Sequence, residues 1–207
     1  MNERDALMCI RHGADIVGFV VDYPNPVPWN LDLATAVKLI AAVSEAGKTC
    51  IVTGGTPDKV IKIAHEAKPD YIQLHYRESL EDTKSLVAAL AKQDIKVIKT
   101  LFPDTPDLIQ AAKDFCATGV FALLFDARVP ENAAFGGSPN LTVFNELQAS
   151  VDCPVILAGG ITSENVAAMI EETNTPIIDL MSGVEQYPGN KDETQISLLF
   201  QALDHFV

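Results

Sequence analysis

The chain has 207 residues, a formal net charge of −13 and 48% apolar residues. This length and this apolar fraction are typical of a globular protein with one sizeable core, so we expect a single domain over residues 1–207. A uniformly acidic surface repels phosphate backbones, which makes nucleic acid an unexpected partner. The sequence has no run of eighteen apolar residues and opens with charged residues rather than the apolar core of a secretion signal, so we expect no membrane contact and a cytoplasmic location.

The cysteines and histidines follow no metal-binding or redox motif. The four cysteines are widely scattered and include no Cys-x-x-Cys pair, so we expect reduced thiols. The four histidines lack the spacing of metal ligands, so we expect no metal site.

The chain opens with a helical pattern and then alternates between strands and helices. Residues 2–12 form the first predicted helix. Continuous apolar runs rich in Val and Ile follow, and such runs are typical of parallel strands that are buried on both faces. The predicted strands cover residues 14–21, 48–54, 71–76, 96–102, 121–127, 154–160 and 176–183. Amphipathic helical patterns lie between or after them at residues 33–47, 56–67, 79–93, 106–119, 162–174 and 192–206, and the alternation places one more helix between the fifth and sixth strands.

Seven strands and eight helices in alternation predict an α/β fold, either a barrel of eight βα units or a doubly wound sheet. We favour a (βα)8 TIM barrel of parallel strands, because the length fits the smallest members of that fold, about 200 residues. The first strand would be absent from this chain, since the helix at residues 2–12 stands where the helix of the first unit belongs. Either the recorded start is an internal methionine, which we favour, or the chain is complete and its barrel is open or completed by a partner. Open strand edges would favour association into a homo-oligomer.

Two glycine loops follow the last two predicted strands. Gly159 and Gly160 end one strand ahead of a helix, and Ser182 and Gly183 end the next strand. Adjacent loops at these positions are the usual phosphate site of such barrels, because glycine allows close backbone approach and free amides bind anions. The alternative is that the glycines only form tight turns. Because the loops occur in neighbouring units, we favour a site for a phosphorylated small molecule.

Two titratable side chains end strands at the same predicted edge of the sheet. Asp126 follows the apolar run FALLF, where partial burial would raise the pKa of its carboxyl group and suit it to donate a proton. The alternative is a structural carboxylate that accepts hydrogen bonds. His75 shares one strand face with Gln73, and this position fits either a structural histidine or one that contacts a ligand.

Two further loops follow strands at this edge. Trp29 lies in the proline-rich segment PNPVPWN, where it either covers an aromatic ligand or fills the barrel rim. The segment FGGSPNL contains Gly136 and Gly137 and is expected to form a mobile lid over the same mouth.

In their order and spacing, these motifs resemble the phosphoribosylanthranilate isomerase family, whose members are eight-unit βα barrels of tryptophan biosynthesis. The resemblance is carried by the segments DALMCIRHGADIVGFV, YPNPVPW, PDYIQLH, VIKTL, LLFDA, FGGS, VILAGGITSENV and DLMSGVEQYPGNKD. It implies an Amadori rearrangement, in which an acid protonates the ring oxygen of a phosphorylated aminoaldose and a base takes the proton from C2, giving an aminoketose. It also implies Asp126 as the acid, and neither a metal nor an organic cofactor. The candidate substrate contacts are Gly136, Gly137, Gly159, Gly160, Ser182, Gly183, His75 and Trp29.

The sequence departs from the family pattern in several places. In the family, the first strand ends Lys-Ile-Cys-Gly and its cysteine is the base; that motif would immediately precede Met1, and none of the four cysteines clearly replaces it. Where the family loop reads Ser-Pro-Arg, this chain has Val27-Pro28-Trp29. The resemblance implies that the family's arginine binds the anthranilate carboxylate, and an indole cannot form such a bidentate contact. Met181 replaces a serine of the last phosphate loop, and Ser138-Pro139 stand where the family has Thr-Gly.

Three functions therefore remain open. The first is a phosphoribosylanthranilate isomerase that lacks its base in this form. The second is a diverged barrel enzyme that acts on another sugar phosphate, which the tryptophan at position 29 would favour. The third is a non-catalytic protein that keeps the phosphate pocket.

Overall fold

The computed structural model describes residues 2–126 and 139–206. Its main sheet has seven parallel strands that pair in the order in which they occur along the chain. The strands are β1 Ile16–Val20, β2 Lys48–Thr53, β3 Tyr71–Leu74, β4 Lys96–Leu101, β5 Ala122–Asp126, β6 Val155–Ala158 and β7 Ile178–Asp179. The α-helices are α1 Glu3–His12, α2 Leu33–Val43, α3 Pro57–Ala67, α4 Leu80–Leu90, α5 Leu108–Ala117, α6 Leu141–Ser150, α7 Val166–Thr173 and α8 Glu193–Leu203. Within the described residues, the predicted seven parallel strands and eight helices are confirmed.

The strands are continuous apolar runs because each face packs against a different layer. In β5, Ala122 and Leu124 join a small cluster inside the curled sheet, whereas Leu123 and Phe125 join the large core between sheet and helices. All five residues of β5 are buried. This two-sided burial is what the uninterrupted Val- and Ile-rich runs indicated.

The curled sheet is open along one side. Among the described residues, β1 pairs only with β2 within the sheet and β7 only with β6. A cavity of about 1180 Å³ runs through this opening and along the inside of the sheet, and residues of β1, β7, α1 and α8 line it. The architecture is therefore a barrel of βα units with room for one more strand between β1 and β7.

The chain after β6 differs from its prediction. The last predicted strand, residues 176–183, forms only the two-residue strand β7, and Ser182–Val184 form a 3-10 turn. An antiparallel hairpin of β8 Glu185–Tyr187 and β9 Asn190–Lys191 follows, which the sequence did not predict. Because β7 has a ladder partner on one side only within the described part of the chain, little backbone pairing there opposes an early turn.

No helix within the described ranges combines the length and apolar character needed to cross a bilayer.

One pair of cysteines differs from the expectation of reduced thiols. Cys116 in α5 and Cys153 just before β6 form a disulfide, with Cα atoms 5.9 Å apart. The two residues are 37 positions apart in sequence, so no local motif indicated that they pair. Cys50 is buried and Cys9 is half-buried, and burial raises the pKa of both thiols.

We expect the thiol count to report this arrangement. Protein purified without reductant should show two reactive thiols per chain in denaturant and four after reduction, because only Cys9 and Cys50 are free. In the native state both should react slowly with Ellman's reagent, since the thiolate is the reactive form and burial disfavours it. Four thiols in non-reducing denaturant would show that Cys116 and Cys153 are reduced in solution.

Candidate active site

Asp126 and His75 meet at the carboxyl end of the sheet. Asp126 is the last residue of β5 and is 1% exposed. His75 follows β3 and continues its pairing with β2 through a backbone hydrogen bond from its N–H to the Thr53 carbonyl, 2.8 Å long. The two side chains reach toward each other from either side of β4, and His75 Nε2 lies 3.1 Å from Asp126 Oδ2. Both side chains line the large cavity, so the structure brings a carboxyl group and an imidazole together where a ligand would enter.

The imidazole of His75 is held by two aromatic neighbours. The Tyr23 hydroxyl donates to the His75 carbonyl at 2.7 Å and lies 3.2 Å from His75 Nδ1. The ring of Phe102, which follows β4, packs edge-on against the imidazole with centroids 5.4 Å apart. Sequence reasoning did not single out Tyr23; its position two residues past the predicted end of β1, at the functional edge of the sheet, was the signal available.

Trp29 lies in the wall of the same cavity. Its loop is shaped by Asn30, whose side chain accepts a hydrogen bond from Tyr23 N at 2.9 Å and whose N–H donates to Val27 at 3.2 Å. Trp29 and Val27 both line the cavity with Tyr23. Trp29 thus borders the same cavity as His75 and Asp126.

The two glycine loops contact each other. A Cβ atom on Gly183 would lie 1.8 Å from the Ile161 carbonyl oxygen, so only glycine allows this approach. Gly159 and Gly160 have φ angles of 93° and 64°, in the left-handed region that favours glycine. Asn165 fixes this loop, because its side-chain amide donates to the Gly160 carbonyl at 2.9 Å and its oxygen accepts from Thr162 N at 2.8 Å.

The glycine loops lie beside the carboxyl group. Asp126 pairs in register with Ala158, the residue directly before Gly159. Ser182 and Gly183 open the 3-10 turn that follows β7, and the first amides of such a turn have no partner within it. Two sets of backbone N–H groups at this edge are suited to bind an anion.

Two predicted residues cannot be placed. Gly136 and Gly137, with most of the predicted lid, lie outside the described residues. Within the described ranges, no group of three or more His, Cys, Asp or Glu residues is arranged to hold a metal ion.

A buried ion pair supports the loop that carries His75. Lys99 on β4 donates to Glu78 at 2.8 Å, and the two side chains are 3% and 1% exposed. Lys99 also donates to the Tyr76 carbonyl at 2.7 Å, while Glu78 Oε1 accepts from Gly55 N at 3.2 Å. Burial lowers the pKa of the Lys99 ammonium group, and the negative charge of Glu78 opposes this shift. The pair thus connects β4 with the loops that follow β2 and β3, which sequence reasoning missed.

Comparison with known proteins gives a consistent result. The family model for N-(5'-phosphoribosyl)anthranilate (PRA) isomerase matches residues 33–202. The relative of that name from Halobacterium salinarum is 32% identical over 200 residues, which cover 94% of this chain and 88% of the relative. The one from Methanocaldococcus jannaschii is 32% identical over 213 residues, which cover 98% of this chain and 92% of the relative.

Solved structures agree with the sequence relatives. Phosphoribosyl anthranilate isomerase from Thermotoga maritima superposes with a TM-score of 0.83 at 25% identity, over 99% of this chain and 95% of that one. The enzyme from Thermus thermophilus gives a TM-score of 0.80 at 25% identity, over 100% of this chain and 96% of that one. The chain belongs to the N-(5'-phosphoribosyl)anthranilate isomerase family.

Proposed function

We propose that this protein catalyses the Amadori rearrangement of N-(5'-phosphoribosyl)anthranilate, with Asp126 as the general acid. The observation that carries the proposal is the buried carboxyl group of Asp126, which lies 3.1 Å from His75 at the cavity wall and one strand away from Gly159. A buried carboxyl group beside an imidazole is suited to donate a proton. Membership of the family supplies the reaction and its substrate.

The proposed reaction uses the two sides of the mouth for different parts of the substrate. The amides at Gly159–Gly160 and Ser182–Gly183 bind the 5'-phosphate, which places the sugar ring over Asp126. Asp126 gives its proton to the ring oxygen, the C1–O bond breaks with its electrons on that oxygen, and the nitrogen lone pair forms the C1=N bond. A base then removes the C2 proton to give an enolamine, which becomes the ketone as C1 gains a proton and the C2 hydroxyl loses one.

The open side of the sheet offers a place for the base. Among the described residues, no thiol lies in hydrogen-bond contact with Asp126 or His75; Cys50 is buried, and Cys9 lines the cavity from α1. A strand that pairs between β1 and β7 would place its last residues at the same edge as Asp126, since all strands of a barrel end there. The family resemblance implies that this strand ends Lys-Ile-Cys-Gly and that its cysteine is the base.

Turnover of phosphoribosylanthranilate by three proteins tests this function: the chain itself, the chain preceded by a strand that ends Lys-Ile-Cys-Gly, and the same extension with Cys→Ala. We expect the Cys extension to convert the substrate and the Ala extension to lose about 10²–10⁴-fold in kcat at an equal melting temperature, because a general base contributes that much. If none of the three binds or converts the substrate, the proposed function fails.

Trp29 motivates a second candidate, an isomerase of a related sugar phosphate without the carboxylate. Lys191 is the only cationic residue among the described residues that line the cavity, and it already donates to Met181 O at 2.8 Å and Glu185 at 3.2 Å. Comparing kcat/KM for the anthranilate substrate and its phenyl analogue discriminates the two candidates. A preference of more than about tenfold for the analogue, roughly 1.4 kcal/mol, would favour the second.

Three predictions from the sequence accompany this proposal: a phosphorylated small molecule as ligand, association into a homo-oligomer and a cytoplasmic location.

A further inference from the structure

The Tyr23 hydroxyl makes two contacts with one residue. Its oxygen lies 2.7 Å from the His75 carbonyl and 3.2 Å from His75 Nδ1. A hydroxyl has a single hydrogen, and a carbonyl oxygen can only accept, so the hydroxyl donates to the carbonyl. The contact with Nδ1 is then a hydrogen bond only when Nδ1 carries a hydrogen and donates to the hydroxyl oxygen.

This assignment determines what lies on the other side of the ring. A neutral imidazole has one N–H, so an Nδ1–H leaves Nε2 with a lone pair. Nε2 lies 3.1 Å from Asp126 Oδ2, and a lone pair would repel a carboxylate at that distance. The contact therefore contains a second hydrogen, either on a neutral Asp126 or on Nε2 of an imidazolium.

We infer that Tyr23 is a positioning residue, which keeps one imidazole hydrogen of His75 on Nδ1 by accepting a hydrogen bond from it. The hydrogen between His75 Nε2 and Asp126 Oδ2 can then be transferred without forming an imidazolate. When that hydrogen goes to the ring oxygen of the substrate, a neutral imidazole and a carboxylate remain. The pair is restored by the proton that the C2 hydroxyl later loses. This last step rests on the proposed function, whereas the position of the hydrogen on the ring does not.

Without the hydroxyl, the opposite arrangement is favoured. In Tyr23→Phe, Nδ1–H would face an apolar ring edge, so the hydrogen is expected to move to Nε2 and to donate to an ionised Asp126. That hydrogen is then the only one on the imidazole, and its loss would leave an imidazolate. The pair would thus lose its transferable proton although both side chains stay in contact.

The test is long-range 1H–15N correlation spectroscopy of 15N-histidine-labelled protein without ligand, with His75 assigned by its absence from His75→Asn. We expect the wild type to show His75 protonated at Nδ1 and Tyr23→Phe to show the Nε2–H form. In the strand-extended enzyme, Tyr23→Phe should lower kcat roughly 10–100-fold, by analogy with groups that orient metal-binding histidines, and leave KM unchanged. Tyr71 is the first residue of β3, at the opposite end of the strand that His75 follows, so Tyr71→Phe is the control and should change neither.

Each outcome is decisive. A wild-type His75 that carries its hydrogen only on Nε2 overturns the inference, as does a Tyr23→Phe spectrum equal to that of the wild type. A wild-type kcat in Tyr23→Phe overturns the positioning role. If the spectra change as expected but the wild type converts no substrate, the hydrogen position is supported and the proposed function fails.

Discussion

Asp126→Asn is expected to lower kcat about 10²–10⁴-fold, which is the contribution of a general acid. Asparagine keeps the shape of the side chain and can still contact His75, but it has no proton acidic enough to give to a ring oxygen. Phosphate binding should persist, because the glycine loops bind through backbone amides. Turnover by the strand-extended enzyme and calorimetric titration with a non-reacting sugar phosphate measure the two effects separately.

A matched substitution at another aspartate shows whether the loss is specific. Asp94 is exposed, and its φ of 59° lies in the left-handed region, which asparagine also tolerates. Because Asp94 precedes β4, it lies at the opposite end of the barrel from Asp126, and Asp94→Asn should leave kcat and stability near wild type. Turnover of Asp126→Asn close to that of the wild type would remove the proposed acid. Ligand binding without turnover in the unmutated extended enzyme would favour the non-catalytic alternative.

The elements that sequence predicts well are those in which burial and periodicity agree. The run 121–127 gave β5 to within one residue at each end, because both faces of Ala122–Asp126 are buried and only apolar residues satisfy both. The start of α4 was also well placed: the helix was predicted from residue 79, and Ser79 caps it by accepting a hydrogen bond from Asp82 N at 3.1 Å. These features are local or need only burial, so one sequence carries them.

Contacts between distant residues were the part that sequence could not give. The contact of Asp126 with His75 requires two strands to end at one level on either side of a third, which the strand pattern predicts only as a shared edge. The role of Tyr23 depends on one hydroxyl contacting two atoms of the same histidine. Trp29 lies in the cavity wall, and its two predicted roles, covering an aromatic ligand or filling the barrel rim, stay predictions.

Buried charge was a second feature that the sequence patterns did not predict. Lys99 interrupts the apolar run of β4. On a half-exposed strand, a lysine at such a position would be expected to face solvent. The structure instead buries the Lys99 ammonium group against Glu78, which lies in a loop about twenty positions earlier in the chain. Such a pair is costly to bury and costly to break, which makes it the strongest test of the structure itself.

Lys99→Met is expected to lower the free energy of unfolding by about 3–5 kcal/mol, because it leaves the Glu78 carboxylate buried without its counter-charge. Adding Glu78→Gln should restore most of this loss, since the amide is neutral and its oxygen still accepts from Gly55 N. Urea unfolding of the single and double variants measures both values. For a chain of this size, each 1 kcal/mol corresponds to roughly 2–4 °C in Tm.

The same region provides a surface pair for comparison. Arg77, next to Glu78, contacts Asp104 at 2.7 Å, but the two side chains are 38% and 50% exposed. Water and salt screen such a pair, so Asp104→Asn should cost less than about 1 kcal/mol. If Lys99→Met and Asp104→Asn destabilise equally, the Glu78 carboxylate reaches water in solution. The loop that carries His75 would then be held by Tyr23, by Phe102 and by its own backbone rather than by buried charge.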